Sequence, residues 1–209
     1  MKLILASASP RRSEILRDAG ISFEVVHTHA DETPKRGETA RAMTRRLAEA
    51  KARAALREFD KAGRKLDSMI VIGADTIVDL RGRLLGKPGT SRAARRTLAQ
   101  LSGKTHRVVT SVAAIRVPDG AKRIFTQTTR VRFVPLSAGE ISGYVATGEP
   151  LDKAGAYAVQ GAGGRFIERI EGCYFNVVGL PLARLYRILI ELGWRPTHGT
   201  SRAQSNAAR

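Results

Sequence analysis

The sequence predicts a mixed α/β fold, and three observations carry that expectation. Helix-patterned segments alternate with short apolar runs through the first half of the chain. Met69-Ile70-Val71-Ile72-Gly73-Ala74 is an unbroken apolar run, as expected of a strand buried on both faces. His106–Val117 and Lys122–Val134 form two long strand patterns joined at Pro118-Asp119-Gly120, which marks an antiparallel hairpin.

From the N-terminus, Lys2–Ala6 is a short strand. Ser9-Pro10 opens a helix, with Ser9 as N-cap and Pro10 at the first helical position, where its missing N–H costs nothing. Ile15, Leu16 and Ala19 give that helix its apolar face, and Gly20 ends it. Phe23–Val26 is a second strand, followed by a polar loop to Gly37. Glu38–Arg57 is a long helix with Met43, Leu47, Ala50 and Ala54 at helical spacing. The Met69–Ala74 strand ends at Asp75, and Thr76–Leu80 with Arg83–Gly86 flank an Arg81-Gly82 hairpin turn. Ser91–Leu101 is a helix closed by Gly103. After the long hairpin, Ser137-Ala138-Gly139-Glu140 is a capping box opening a helix to about Thr147. Glycine-rich turns lead to a strand at Phe166–Ile170, and Pro181 opens a last helix ending at Gly193. Residues 1–194 are expected to form one domain, and 195–209 a polar, aperiodic, disordered tail.

Composition narrows the class. The chain has 209 residues, 43% of them hydrophobic, which supports a packed core and excludes a disordered chain. Cys173 is the single cysteine, so no internal disulfide or multi-cysteine zinc site exists, and a cytoplasmic location is expected. No apolar run approaches the ~20 residues of a membrane span. The formal net charge is +17, which suggests an anionic ligand. Residues 1–40 carry no net charge and the rest is spread along the chain, so the charge does not outline a nucleic-acid arm.

Several segments pair chemistry with a plausible position. Ser7-Ala8-Ser9-Pro10-Arg11-Arg12 joins a strand to a helix N-terminus, where free N–H groups and forked guanidinium donors suit phosphate. An ordinary capped helix with surface arginines is the plainer alternative. Asp75, in Gly73-Ala74-Asp75-Thr76, is a carboxylate that either caps a turn or holds a hard cation and activates water. Lys51 sits beside the apolar face of its helix and either snorkels or points into a site. Asp31-Glu32 lies in a loop, Lys87 in the Gly86-Lys87-Pro88 turn, and 149–161 mixes charge, glycine and tyrosine in a manner suited to a nucleotide-facing loop. His27-x-His29 lacks a nearby third ligand for a metal role. P-loop, dinucleotide-binding, H-E-x-x-H and G-x-S-x-G motifs are absent.

Taken together, these blocks resemble the Maf (septum-formation-like) nucleotide pyrophosphatases. The resemblance rests on Leu5-Ala6-Ser7-Ala8-Ser9-Pro10-Arg11-Arg12, Ile72-Gly73-Ala74-Asp75-Thr76, Gly86-Lys87-Pro88, Leu101-Ser102-Gly103-x-Thr105-His106, the segment Tyr144 to Tyr157, and Asn176 to Leu182. It covers residues 3–193, in order and with typical spacings. It implies a two-lobed mixed α/β fold with a central cleft, and hydrolysis of nucleoside triphosphates to monophosphate and pyrophosphate with a divalent cation, Mg²⁺ or Mn²⁺. It assigns substrate binding to Ser9, Arg12, Lys51 and Lys87, catalysis to Asp75, and metal binding to Glu32 and Asp75. It also marks Arg11, Thr76 and Gln160 as base-specificity positions resembling the dTTP/UTP subgroup, whereas the 7-methyl-GTP subgroup typically has Trp, Gln and Glu there. A pyrophosphatase for another nucleotide, or a non-catalytic nucleotide or nucleic-acid binder, are the alternatives. The paired carboxylates Glu32 and Asp75 weigh against the binder, because they repel polyphosphate without a cation. The expected partner is a nucleoside triphosphate rather than a membrane or nucleic acid, and the resemblance is compatible with a homodimer.

Overall fold

The computed structural model describes residues 1–28, 30–63 and 68–196. His29 and residues 197–209, which hold one of the paired histidines and most of the expected tail, lie outside the described residues. The elements run β1 (Lys2–Ala6), α1 (Pro10–Asp18), β2 (Glu24–Val26), α2 (Ala40–Lys61), β3 (Met69–Leu80), β4 (Arg83–Leu85), α3 (Ser91–Leu101), β5 (Thr105–Val117), β6 (Lys122–Phe133), α4 (Ala138–Ala146), β7 (Ile167–Glu171), α5 (Tyr174–Val178) and α6 (Leu182–Glu191). Short 3₁₀ turns at Glu149–Asp152, Ala154–Ala156 and Ala162–Phe166 link α4 to β7. No helix among the described residues is long and apolar enough to cross a membrane.

The strands form one seven-stranded mixed sheet in the order β2-β1-β3-β5-β6-β7, with β4 also on β3. β1 runs parallel to β2 and β3, and the other pairings are antiparallel. Alternation along the strands feeds both faces. Ile70 and Ile72 of β3 pack with Leu16 of α1 and Leu185 and Leu189 of α6. Met69 and Val71 face the other way, onto Ala48, Ala52, Ala55 and Phe59 of α2. Farther along the sheet, Val78, Val131 and Phe133 meet Leu98 and Leu101 of α3, Tyr144 of α4 and Phe166.

The expected strand break at Asp75 does not occur. β3 continues through it to Leu80, and its ladder with β5 is unbroken from Met69↔Val117, through Asp75↔Ser111, to Asp79↔Arg107. A polar side chain does not by itself end a strand, and here successive side chains project to opposite faces where Asp75 and Thr76 each find partners. The other edge of β3 is interrupted instead. β1 pairs with it as far as Ala6↔Gly73, and β4 begins at Val78↔Leu85. Residues 74–77 therefore have a strand on one side only, and the cleft opens beside that gap.

Local signals account for most boundaries. Thr39, not Glu38, lies at the start of α2 and accepts from the Ala42 N–H at 3.2 Å. Glu38 instead receives Arg46 Nε at 2.8 Å and Nη2 at 2.7 Å. The capping box forms as expected: Ser137 Oγ accepts from Glu140 N–H, and Glu140 Oε2 from Ser137 N–H at 2.8 Å. The five-residue α5 was not anticipated, since a single turn is too short to show helical periodicity.

Candidate active site

Asp75 and Thr76 are neighbours in β3, so their side chains leave the sheet on opposite faces, and each face brings a different partner. On one face α2 lies close to the strand. A Cβ at Gly73 would stand 2.1 Å from the Ala48 carbonyl oxygen and 2.7 Å from the Ala52 nitrogen. Glycine in the strand and alanines 48, 52 and 55 on the helix together permit this approach. It carries Lys51 over the strand, where Nζ donates to Asp75 Oδ1 at 2.7 Å. The same ammonium lies 2.7 Å from Glu32 Oε1, so one lysine bridges two carboxylates.

Burial governs the charges of this cluster. Asp75 is 7% exposed, and burial raises its pKa above the usual aspartate range, with Glu32 adding to the rise and Lys51 and Arg12 opposing it. Burial would also raise Glu32, but the hydrogen bond and charge of Lys51, with Lys87 and Arg12, bring it below its ordinary value. The Glu32 side chain is 54% exposed against 10% for Asp75. One carboxylate is thus fixed and held toward the neutral form, whereas the other is exposed and ionised.

On the opposite face Arg12 is buried and spends most of its fork on the protein. Its Nε donates to the Gly179 carbonyl at 2.9 Å, Nη1 to Ser7 Oγ at 3.1 Å and to the Ala74 carbonyl at 3.0 Å, and Nη2 to Thr76 Oγ1 at 3.0 Å. The bond to Ala74 covers backbone in the gap between β1 and β4. One guanidinium N–H has no partner among the described residues. Burial lowers the Arg12 pKa, and Asp75 opposes that shift. Behind Thr76 the polar chain continues: Thr76 and Thr110 hydroxyls are 3.0 Å apart, Thr110 donates to the Asn176 carbonyl at 3.1 Å, and Asn176 Nδ2 donates to Val108 O and Thr129 Oγ1, each at 3.0 Å.

Ser7, Arg12, Glu32, Lys51, Asp75, Thr76 and Gly179 line one cleft of about 480 Å³, together with Ser9, Arg11 and Lys87. Ser9 stands at the N-cap of α1, yet its side chain makes no capping bond, so its hydroxyl is not engaged by the helix. Asp152 and Ala154, from the Glu149–Asp152 and Ala154–Ala156 turns, and Lys153 between them also line the cleft. These turns are tied to the Lys87 turn, with Gly89 N–H donating to Leu151 O at 3.0 Å and Gly155 N–H to Gly86 O at 3.1 Å. Of the residues singled out in the sequence, Ser9, Arg11, Arg12, Glu32, Lys51, Asp75, Thr76 and Lys87 line the cleft. Gln160 does not; it is exposed, next to the lining residue Val159.

Ser7, Asn176 and Gly179 fall in segments singled out in the sequence but carry no assigned role there, and Thr110 was not singled out. Thr110-Ser111 inside an otherwise apolar strand was the available signal, since hydroxyls there must find partners. Ser9 is marked as the N-cap before Pro10 whereas Ser7 carries no such local signal, and a carbonyl such as that of Gly179 leaves no trace in side-chain chemistry.

Residues 2–192 match the family described as Maf-like protein. The chain belongs to the Maf family. A protein of Anaeromyxobacter sp. (strain Fw109-5) named dTTP/UTP pyrophosphatase is 48% identical over 195 residues, covering 92% of this chain and 90% of that one. A protein of the same name from Moorella thermoacetica is 48% identical over 92% of this chain and 95% of its own. Another from Pelotomaculum thermopropionicum is 47% identical, over 92% and 97%. The matched span contains every cleft residue described above.

Proposed function

We propose that this chain hydrolyses dTTP and UTP to the nucleoside monophosphate and pyrophosphate. The observation that carries the reading is the Glu32–Lys51–Asp75 cluster beside Arg12 in one cleft, in a chain whose relatives at 47–48% identity bear that name. Water attacks the α-phosphorus, the bond from that phosphorus to the oxygen bridging to the β-phosphorus breaks, and pyrophosphate leaves with the electron pair. Asp75 takes the proton from the attacking water. A buried carboxylate with a raised pKa suits a general base, because its basicity approaches the working pH. Lys51, Lys87 and the remaining N–H of Arg12, with the Ser9 hydroxyl, bind the triphosphate oxygens and offset the charge that develops on the leaving group. The resemblance makes Arg11, Thr76 and Gln160 the base-specificity positions; Arg11 and Thr76 line the cleft, and Gln160 lies outside its lining, next to Val159.

The donor set also fits a divalent cation. Among the described residues no cluster of three or more His, Cys, Asp or Glu is arranged to hold a metal, so the protein offers two carboxylates, Glu32 and Asp75. Two carboxylates, with waters and substrate phosphates completing the shell, match the habits of Mg²⁺ and Mn²⁺ rather than an all-protein cage. Glu32 and Asp75 would hold such an ion, which would supply charge neutralisation to the phosphates.

The test is a panel of nucleoside triphosphates with Mg²⁺ or Mn²⁺, reading pyrophosphate release. dTTP and UTP are expected to be preferred, with turnover abolished by chelation and restored by the metal. Asp75→Asn is expected to lower kcat by ~10²–10³ while the protein stays folded. Near-wild-type release by that variant overturns the assignment of the base, and preference for 7-methyl-GTP overturns the substrate.

A further inference from the structure

The turn that carries Gln160 is held by two side chains that lie outside the cleft lining, Tyr144 and Glu149. Residues Ala158-Val159-Gln160-Gly161 form a turn in which Gly161 N–H donates to the Ala158 carbonyl at 3.4 Å. Ala158 and Val159 line the cleft, and Gln160 stands at the tip. Tyr144, fully buried on α4, accepts from the Ala158 N–H at 3.2 Å, where the turn begins. The same hydroxyl donates to Glu149 Oε1 at 2.6 Å. Glu149 in turn accepts from the Ala162 N–H at 3.0 Å and the Gly163 N–H at 3.1 Å, where the turn ends.

Close packing makes this arrangement specific. A Cβ at Gly161 would stand 2.4 Å from Glu149 Oε2, and one at Gly163 would stand 2.5 Å from the Tyr144 hydroxyl oxygen. The backbone is therefore drawn against both polar groups, closer than any side chain at those positions would allow. Glu149 is half-buried and lies outside the residues that line the cleft.

We propose that Glu149, with Tyr144 as its partner, is a positioning residue that fixes the Ala158–Gly161 turn as a wall of the nucleotide cleft and thereby sets base selectivity. The proposal rests on the reading of the chain as a nucleoside triphosphate pyrophosphatase. Only an ionised carboxylate accepts all three donors. In Glu149→Gln one oxygen becomes an amide NH₂ that must face a donor, so at least one anchor of the turn is lost. Lys51, Asp75 and Arg12 belong to other elements and keep their contacts.

The experiment measures kcat and KM for dTTP, UTP, CTP and dATP with Mg²⁺, for the wild type and Glu149→Gln, with melting temperature and amide exchange at Ala162 and Gly163 followed in parallel. The expected result is a KM for dTTP and UTP raised about tenfold, kcat within about threefold, a narrowed ratio between preferred and poor nucleotides, and faster exchange at the two amides. Unchanged KM and selectivity, or a kcat that falls with the melting temperature while KM and selectivity hold, overturns the proposal. Should Glu149→Gln fail to fold, Tyr144→Phe keeps the ring and removes the hydroxyl that anchors Ala158; the same split is expected of it, and wild-type selectivity overturns the proposal equally. A wild type that prefers another triphosphate overturns the dTTP/UTP reading alone, and the selectivity comparison is then made on that nucleotide. A wild type that cleaves no triphosphate overturns both.

Discussion

Asp75 and Arg12 define the site at the scale of single residues, and both are more deeply committed to the protein than their charge suggests. Asp75 is held toward neutrality by burial and kept accessible to ionisation by Lys51 at 2.7 Å. A carboxylate whose folded pKa is raised loses its proton only at a pH above the ordinary aspartate value of about 3.9. In the metal-free protein Asp75 is therefore expected to titrate above the usual aspartate range, read from the NMR shift of its carboxyl carbon against pH, and a titration at or below that range removes the raised basicity on which its role as the base rests. Arg12 was legible in the sequence as a guanidinium at a helix N-terminus. What the sequence did not hold is that four of its bonds go to Ser7, Ala74, Thr76 and Gly179, residues scattered over the length of the chain. Much of its contribution is therefore to join α1, β3 and the segment after α5.

Elements explain how these residues meet. The apolar run from Met69 and the strand at Thr76–Leu80 were plain from the sequence, but their union through Asp75 was not, because periodicity cannot show that a polar residue in mid-strand has a lysine waiting on an adjacent helix. That helix is close only because Gly73 lacks a side chain. Gly73→Ala places a methyl group 2.1 Å from the Ala48 carbonyl, so α2 must move away from β3. The expected cost is about 1–3 kcal/mol of stability, read from denaturant unfolding, accompanied by a fall in kcat as Lys51 is drawn off Asp75. A variant with unchanged stability would show that the close approach is not needed.

The charge of +17 acts on the whole molecule. A few cations belong to the cleft, namely Arg11, Arg12, Lys51 and Lys87. Others are paired on the surface, as in Arg53–Glu49, Arg116–Asp119 and Arg132–Glu168. A net positive field draws in an anionic triphosphate and is screened by salt. Raising ionic strength from roughly 50 mM to 500 mM at fixed free Mg²⁺ is expected to lower kcat/KM about three- to tenfold while leaving kcat nearly constant. A kcat/KM insensitive to salt would show that the surplus charge has no part in substrate capture.

By itself the sequence determined the mixed α/β class, the positions of nearly all helices and strands, and a set of basic and acidic residues suited to phosphate chemistry, because apolar periodicity, caps and motif spacing are local properties. The tertiary structure alone decided which of those residues share a cleft. Lys51 reaches Asp75 because a helix crosses a strand at a glycine, and the loop between β2 and α2 brings Glu32 to the same ammonium; the gap between β1 and β4 opens because two strands share one edge of β3 without meeting; and the Ala158–Gly161 turn is held by Tyr144 and Glu149 through contacts to backbone. Contacts of that kind depend on the path of the chain in space, and that path is set by the packing of the whole sheet and its helices.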